Sequence, residues 1–459
     1  MTAILHRFSS FLPCHPYNHT RGVNVFMRTK NWSKTSIAAI LGLMIVTSGC
    51  SDSTSSTSES SKPAESSSGN PVVVKAWYHQ YGEKEAVEFL NNWTADFNKS
   101  QSKIKLETTI VAGGVADYYS KLSTAFASGA GPDFFEMDAS DFSKYVSSGI
   151  AAPLDDLITG DIRKDFNEKA LAGNTYNGKL YGMPFIIDAI GLYYDKDVLK
   201  AANIQPPKTW DELRDAAKKL TTPERKGFTL SPIRGGYQNY EFWPFLWAAG
   251  GNVLDDSGKK STFDSDATRK ALQLYRDLAK DGSIYTTLQT DSWDINYLLS
   301  GKTAMQLSGI WATPTIEKSG KNIGLVPYPA VDAQGKQTST LGGWNMIVSS
   351  KGHQAEAKEV IRWFWLEGTD RMGQFNTIGG FHLAPRKSVL EAKKDIYSKP
   401  IYKDWVDTVV PLGRKDLSLP PEIVTATNDA VQEALFSMDR NIDTIVKDAD
   451  KKVKETLAK

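Results

Sequence analysis

Cysteine is nearly absent. The 459 residues hold two, Cys14 and Cys50, too few for a disulfide-stapled scaffold. Histidine is almost as scarce: only His79, His353 and His382 lie beyond Cys50, none spaced as HxxxH, so no metal centre is expected. Charge of one sign is missing too. Basic residues number 54 and acidic ones 53, which leaves no basic footprint for nucleic acid. Long apolar runs are also lacking. The run 37–46 has ten residues, short of the ~20 that a membrane-crossing helix needs, and later stretches such as 242–249 are short and aromatic. Neither GxxxxGKS/T nor a strand-borne GxGxxG occurs, and there is no GxSxG elbow. No cofactor is expected. Asp255-Asp256-Ser257-Gly258 reads as a hairpin turn, since EF-hand spacing fails.

What is present begins at Met27. Arg28, Lys30 and Lys34 precede the apolar run, and Thr47-Ser48-Gly49 then lead to Cys50. Basic, apolar and small residues in that order make a secretory signal, expected to start at Met27 and to be removed as residues 1–49. The cleavage point resembles a bacterial lipobox, with Thr47 where Leu is usual. That resemblance implies a diacylglyceryl and an acyl (palmitate) group on Cys50 and a lipid-anchored protein. The plainer alternative is an ordinary cleavage site with a cysteine beside it. A single lipid chain holds a membrane only marginally, so firm anchoring takes more than one. The first 49 residues carry five basic and no acidic residues, so the 410 that remain hold 49 basic against 53 acidic.

Residues 50–70 form the lipidated cysteine and a Ser-rich tether, SDSTSSTSESSKPAESSSGN after Cys50, with too little apolar surface to repay ordering. Beyond it the pattern alternates. Val72 to Trp77 reads as a buried strand. Ala86, Phe89, Leu90, Trp93 and Phe97 mark a helix, 104–110 a strand, Tyr118 to Phe126 a helix and 133–137 a strand. A second region repeats this from Gly191, with Thr209 as N-cap and Glu212 completing a capping box for a helix over 210–220. Strands alternating with helices predict an α/β chain of βαβ units and a mostly parallel sheet.

Tyr118-Tyr119-Ser120-Lys121-Leu122, Ala127-Ser128-Gly129 and Gly131-Pro132-Asp133 look like the first signature of the family 1 extracellular solute-binding proteins. The likeness runs on through Gly178-Lys179-Leu180-Tyr181-Gly182-Met183-Pro184, Gly191-Leu192-Tyr193-Tyr194-Asp195-Lys196 and Pro207 to Leu213. It ends with Gly301 to Met305, Gly309-Ile310-Trp311 and Leu341-Gly342-Gly343. These are the sugar-binding subunits of ABC importers, a group that includes the maltose-binding proteins. The resemblance implies a periplasmic-binding-protein-like α/β fold: two doubly wound lobes joined by crossing hinge strands, near 185–189 and 339–343, closing on ligand. The N-lobe is expected over 71–188 with 342–387, and the C-lobe over 189–341 with 388–459. It also implies no catalysis, a carbohydrate ligand, ABC permease transmembrane subunits as partners, and a monomer; the lipid anchor favours a Gram-positive-type surface, which has no outer membrane to retain a soluble binder.

Sugar C–H faces stack on aromatic rings, and sugar hydroxyls take charge-assisted hydrogen bonds from carboxylates. Ligands of open α/β sheets sit beyond the carboxyl ends of strands. The candidates are therefore aromatics and acids just after strands: Trp77, Tyr78, Asp138, Asp188, Tyr240, Glu241, Trp243, Trp311, Trp344 and Phe381, with His382 beside the last. Two have a structural alternative. Trp77 could plug the core beneath the first helix, and Asp138 could be an N-cap. The family pattern places an acid at Asp188 and a stacking Trp at Trp311. Trp247, Trp93, Trp363, Trp365 and Trp405 fall at helical spacing and are expected in the core. Two rival functions stay open. A secreted carbohydrate-active enzyme would need two carboxylates about 5–9.5 Å apart. A sugar-sensing surface receptor would use the same fold.

Overall fold

The structure is a computed structural model that describes residues 70–459, apart from 83, 139–141 and 416–418. The signal segment, Cys50 and the serine-rich tether up to residue 69 lie outside the described residues.

Thirteen strands are described: β1 (Val72–His79), β2 (Ile104–Val111), β3 (Phe134–Asp138), β4 (Thr175–Tyr176), β5 (Lys179–Leu180), β6 (Gly182–Pro184), β7 (Asp188–Asp195), β8 (Lys226–Thr229), β9 (Thr303–Gly309), β10 (Ile323–Val326), β11 (Ser339–Gly342), β12 (Trp344–Val348) and β13 (Gly413–Lys415). Five make a first sheet in the order β2-β1-β3-β12-β6. Six make a second, β13-β11-β7-β9-β8, with β10 also on β7, and β4 and β5 form a hairpin.

The expectation of mostly parallel sheets holds only in part; in the second sheet β8 runs parallel to β9 and β11 to β13. β1 runs parallel to β2 and β3, with helices Lys84–Ser100 and Val115–Ala127 as crossovers. β12 is antiparallel to both β3 and β6. In the second sheet β7 is antiparallel to β9, β10 and β11. The cause is connectivity. β7 and β12 are entered from the other sheet rather than through a local crossover helix, so nothing forces them parallel.

Strand alternation puts a core on each face of each sheet. Val74, Ala76 and Tyr78 face helix Lys84–Ser100 and Trp365, whereas Val111, Phe135 and Met137 face Tyr118 and Tyr145. In β7, Ile190 and Leu192 face one cluster and Ala189 and Tyr193 the other, which holds Trp405. The capping box of helix Trp210–Leu220 forms as its sequence predicts, through Thr209 and Glu212. Arg276 is buried, and its guanidinium donates to the carbonyls of Glu433, Ala434, Ser437 and Arg440. A cation thus satisfies the carbonyls that helix Pro421–Phe436 leaves open at its C-terminus.

The chain passes from the first sheet to the second between β6 and β7, and back between β11 and β12. The two passages touch. Gly343 has φ 129°, and a Cβ there would lie 2.1 Å from the Ile186 carbonyl oxygen, so only glycine fits.

Candidate functional site

At the carboxyl ends of β1 and β3 the first sheet builds a stack of rings on a buried acid. Glu136 is fully buried in β3. His79 Nδ1 meets its Oε1 at 2.5 Å, the His79 backbone N–H donates to the same oxygen, and Tyr81 Oη donates to Oε2. Burial, and then the Glu136 charge, raise the Tyr81 hydroxyl well above its ordinary pKa, which keeps it a donor. The His79 ring lies between Tyr81 and Trp344, with centroids 4.1 Å from each, and it stacks on Trp344 at an interplanar angle of 20°. Tyr119 lies nearly parallel to Trp344, with centroids 6.4 Å apart. Strand pairing sets Trp344 opposite Asp138, whose N–H donates to Tyr119 Oη at 2.9 Å.

The second sheet builds its own platform where β9 ends. Trp311 folds back over Gly309: a Cβ on Gly309 would lie 2.1 Å from the indole. Helix Gly236–Ala248 brings Tyr237 to 6.3 Å from Trp311 and Tyr240 to 6.3 Å from Tyr237, centroid to centroid. The Tyr240 hydroxyl reaches the return passage, 2.7 Å from where a Gly342 Cβ would stand. Trp344 begins two residues later. Tyr240 of the second set and Trp344 of the first therefore meet the same passage two residues apart.

A buried acid stands behind this platform as well. Ser231 N–H donates to Glu241 Oε2 at 2.6 Å and Ser292 Oγ to Oε1 at 2.7 Å. Asp291 Oδ1 accepts from Ser231 Oγ at 2.5 Å and from Ser292 N–H at 2.7 Å. Burial raises the Glu241 carboxyl well above the usual range, and the Asp291 charge adds to the rise. Asp291 is raised by burial too.

Several expected site residues lie elsewhere. Tyr78 is wholly buried in the core beneath Phe134, because alternation turns it away from the face of Trp77. Trp243 is 2% exposed in the cluster around Phe242, Phe245 and Trp247. Phe381 is wholly buried, with Tyr402 edge-on at 4.2 Å. Glu241 spends both carboxylate oxygens inside the protein. Asp188 meets His382 Nδ1 at 2.6 Å, both groups buried, at the first passage. Trp77 is half-buried against the Tyr118 cluster. Asp138, Tyr240, Trp311 and Trp344 remain at the two platforms. Trp293 was missed. It is the most exposed tryptophan among the described residues, 51%, in the loop Thr290-Asp291-Ser292-Trp293-Asp294. The available signal was a lone tryptophan in a polar loop outside any apolar period. Among the described residues no group of acids, histidines or cysteines could hold a metal ion.

The family model for the bacterial extracellular solute-binding proteins matches residues 80–367. The chain belongs to this family. It is an extracytoplasmic solute-binding protein of the ABC-transporter kind and not an enzyme. Among relatives, the maltotriose-binding protein of Pyrococcus abyssi is 25% identical over 54% of this chain; the match spans only about half, 54%, of that protein's own length. The arabinooligosaccharide-binding protein of Bacillus subtilis is 27% identical over 71% of this chain and 78% of its own. A solute-binding protein of an ABC transporter from Thermotoga lettingae, solved with alpha-D-tagatose, superposes with a TM-score of 0.73. It is 26% identical and covers 84% of this chain and all of that one. This family's periplasmic-binding-protein fold, with two mixed α/β sheets, is the one described above.

Proposed function

We propose that this chain captures a sugar, an oligosaccharide in particular, between two lobes and delivers it to the transmembrane permease of an ABC importer. The observation that carries this reading is that Trp344 from one sheet begins two residues after Gly342, which the Tyr240 hydroxyl from the other reaches, with Trp311 linked to Tyr240 through Tyr237. Rings approaching from two sides suit the two apolar faces of a pyranose, and the hydroxyl of Tyr240 and the carboxylate of Asp138 suit its hydroxyls. The named ligands of the relatives, maltotriose and arabinooligosaccharide, point the same way. The lobes are taken as 71–188 with 342–387 and 189–341 with 388–459, closing about the two passages. The chain acts as a monomer, tethered by lipid on Cys50 through the serine-rich segment, which suits a surface with no outer membrane to retain a soluble binder.

A thermal-shift screen against mono- and oligosaccharides, peptides and polyamines, followed by titration calorimetry, tests the ligand class. Stabilisation by a sugar is expected; stabilisation by peptides or polyamines alone overturns the reading. Cys50→Ala tests the anchor separately: the variant is expected in the medium, and membrane retention equal to the parent's contradicts lipidation.

A further inference from the structure

The loop that carries Trp293 is tied down with unusual thoroughness for a segment that displays its largest apolar side chain to solvent. Three successive carbonyls are fixed to buried side chains of β9. Gln306 Nε2 donates to Ser292 O at 2.6 Å and Asp294 O at 2.9 Å, and Ser308 Oγ donates to Trp293 O at 2.9 Å. Gln306 and Ser308 are wholly buried. On its other side the loop is tied through Ser292 Oγ to Glu241, and through Asp291 to Ser231. Glu241 lies on the helix that carries Tyr237 and Tyr240, and Ser308 lies three residues before Trp311. One polar knot thus joins the bases of four aromatic side chains, three of them half-buried and the fourth, Trp293, exposed.

A tryptophan on a slack loop would fold down onto apolar surface. One held out by its backbone is pre-organised to receive a flat apolar partner, and such a ring is only as well placed as the shell behind it. We propose that Trp293, whose carbonyl is held by Ser308 three residues before Trp311, is a further sugar-contacting ring, and that Glu241 and Ser292 are positioning residues that hold its loop in place. This rests on the sugar-binding reading above. Glu241 therefore acts on ligand through the loop and not by contact, and its hydroxyl and amide partners are what a substitution there would release.

The test uses the protein labelled with 5-fluorotryptophan, with the Trp293 and Trp311 fluorine resonances assigned from Trp293→Phe and Trp311→Phe. In the ligand-free protein, Glu241→Gln and Ser292→Ala are expected to shift or broaden the Trp293 resonance. Ser292→Thr, which keeps the hydroxyl, is expected to leave it near its parent position. An unmoved Trp293 resonance in both Glu241→Gln and Ser292→Ala overturns the positioning role. Saturating maltotriose or arabinotriose, whichever binds, is expected to shift the Trp293 resonance, and Trp293→Ala is expected to weaken that sugar about tenfold without lowering Tm. A sugar that shifts Trp311 but not Trp293 overturns the contact. If neither sugar binds, the sugar-binding reading and the contact with it are what fail; the ligand-free arm still decides the positioning role.

Discussion

The two sheets solve the same problem with different chemistry. Each must hold a flat ring at the end of its strands, and each does so with a buried carboxylate, Glu136 behind Trp344 and Glu241 behind the Trp311 and Trp293 platform. On the first sheet the acid faces a histidine ring and a phenol, and the histidine itself stacks on the tryptophan. On the second the acid faces serine donors and a neighbouring acid, Asp291. The first is a knot of ring donors around one acid, and it transmits its order through stacking. The second crowds like charges, and it transmits its order through a loop backbone. Burial lifts the Glu241 carboxyl well above the ordinary carboxylate range, and the Asp291 charge adds to the rise.

Removing the acid should separate the two most sharply. Glu136→Ala leaves the His79 backbone N–H and the Tyr81 hydroxyl buried without their acceptor, and urea unfolding is expected to record a loss of about 4 kcal/mol, at ~1–3 kcal/mol for each stranded donor. A loss below that of Glu241→Ala would reverse the comparison. The rings come next. Trp311→Ala is expected to weaken sugar binding about a hundredfold, ~2.7 kcal/mol, by titration calorimetry with Tm nearly unchanged. Trp344→Ala should weaken it and also lower Tm, because Trp344 is part of the His79 stack. Glu241→Ala strands the Ser231 amide and the Ser292 hydroxyl, which can turn to Asp291, so about 2 kcal/mol of stability should go.

The smallest effect is in pH. The Glu241 carboxyl is raised in the folded protein above its ordinary 4.5. The folded state then binds the extra proton, and its contribution is fully present below that value and is lost as pH rises. Parent Tm is thus expected to fall from pH 4.5 towards neutrality more steeply than that of Glu241→Gln. Parallel profiles would mean that Glu241 does not titrate in this window.

Much of the frame was readable because period and caps are local. The strand at 72–77, the helix over 210–220 with its Thr209 cap, and the core tryptophans Trp365 and Trp405 all follow from spacing alone. The strand directions of the second sheet did not, since they depend on which sheet the chain enters, a non-local fact. Among site residues, ring identity after a strand was legible for Trp311 and Trp344. Depth was not. Tyr78 and Trp77 differ by one residue and by a whole sheet face, and Trp243 lies three residues from Tyr240 yet in the core. Glu241 was visible as an acid among aromatics, but its partners Ser231 and Ser292 come from ten residues before and 51 after. Trp293 was hidden because nothing periodic surrounds it.

The most direct measurement is titration calorimetry of one sugar series, maltose to maltopentaose with arabinotriose beside it, into the parent protein, Trp311→Ala and Trp344→Ala. If rings from both sheets close on a sugar, at least one member binds the parent and both variants lose that binding while remaining folded. Undiminished affinity in either variant, or no sugar bound by the parent, would contradict it.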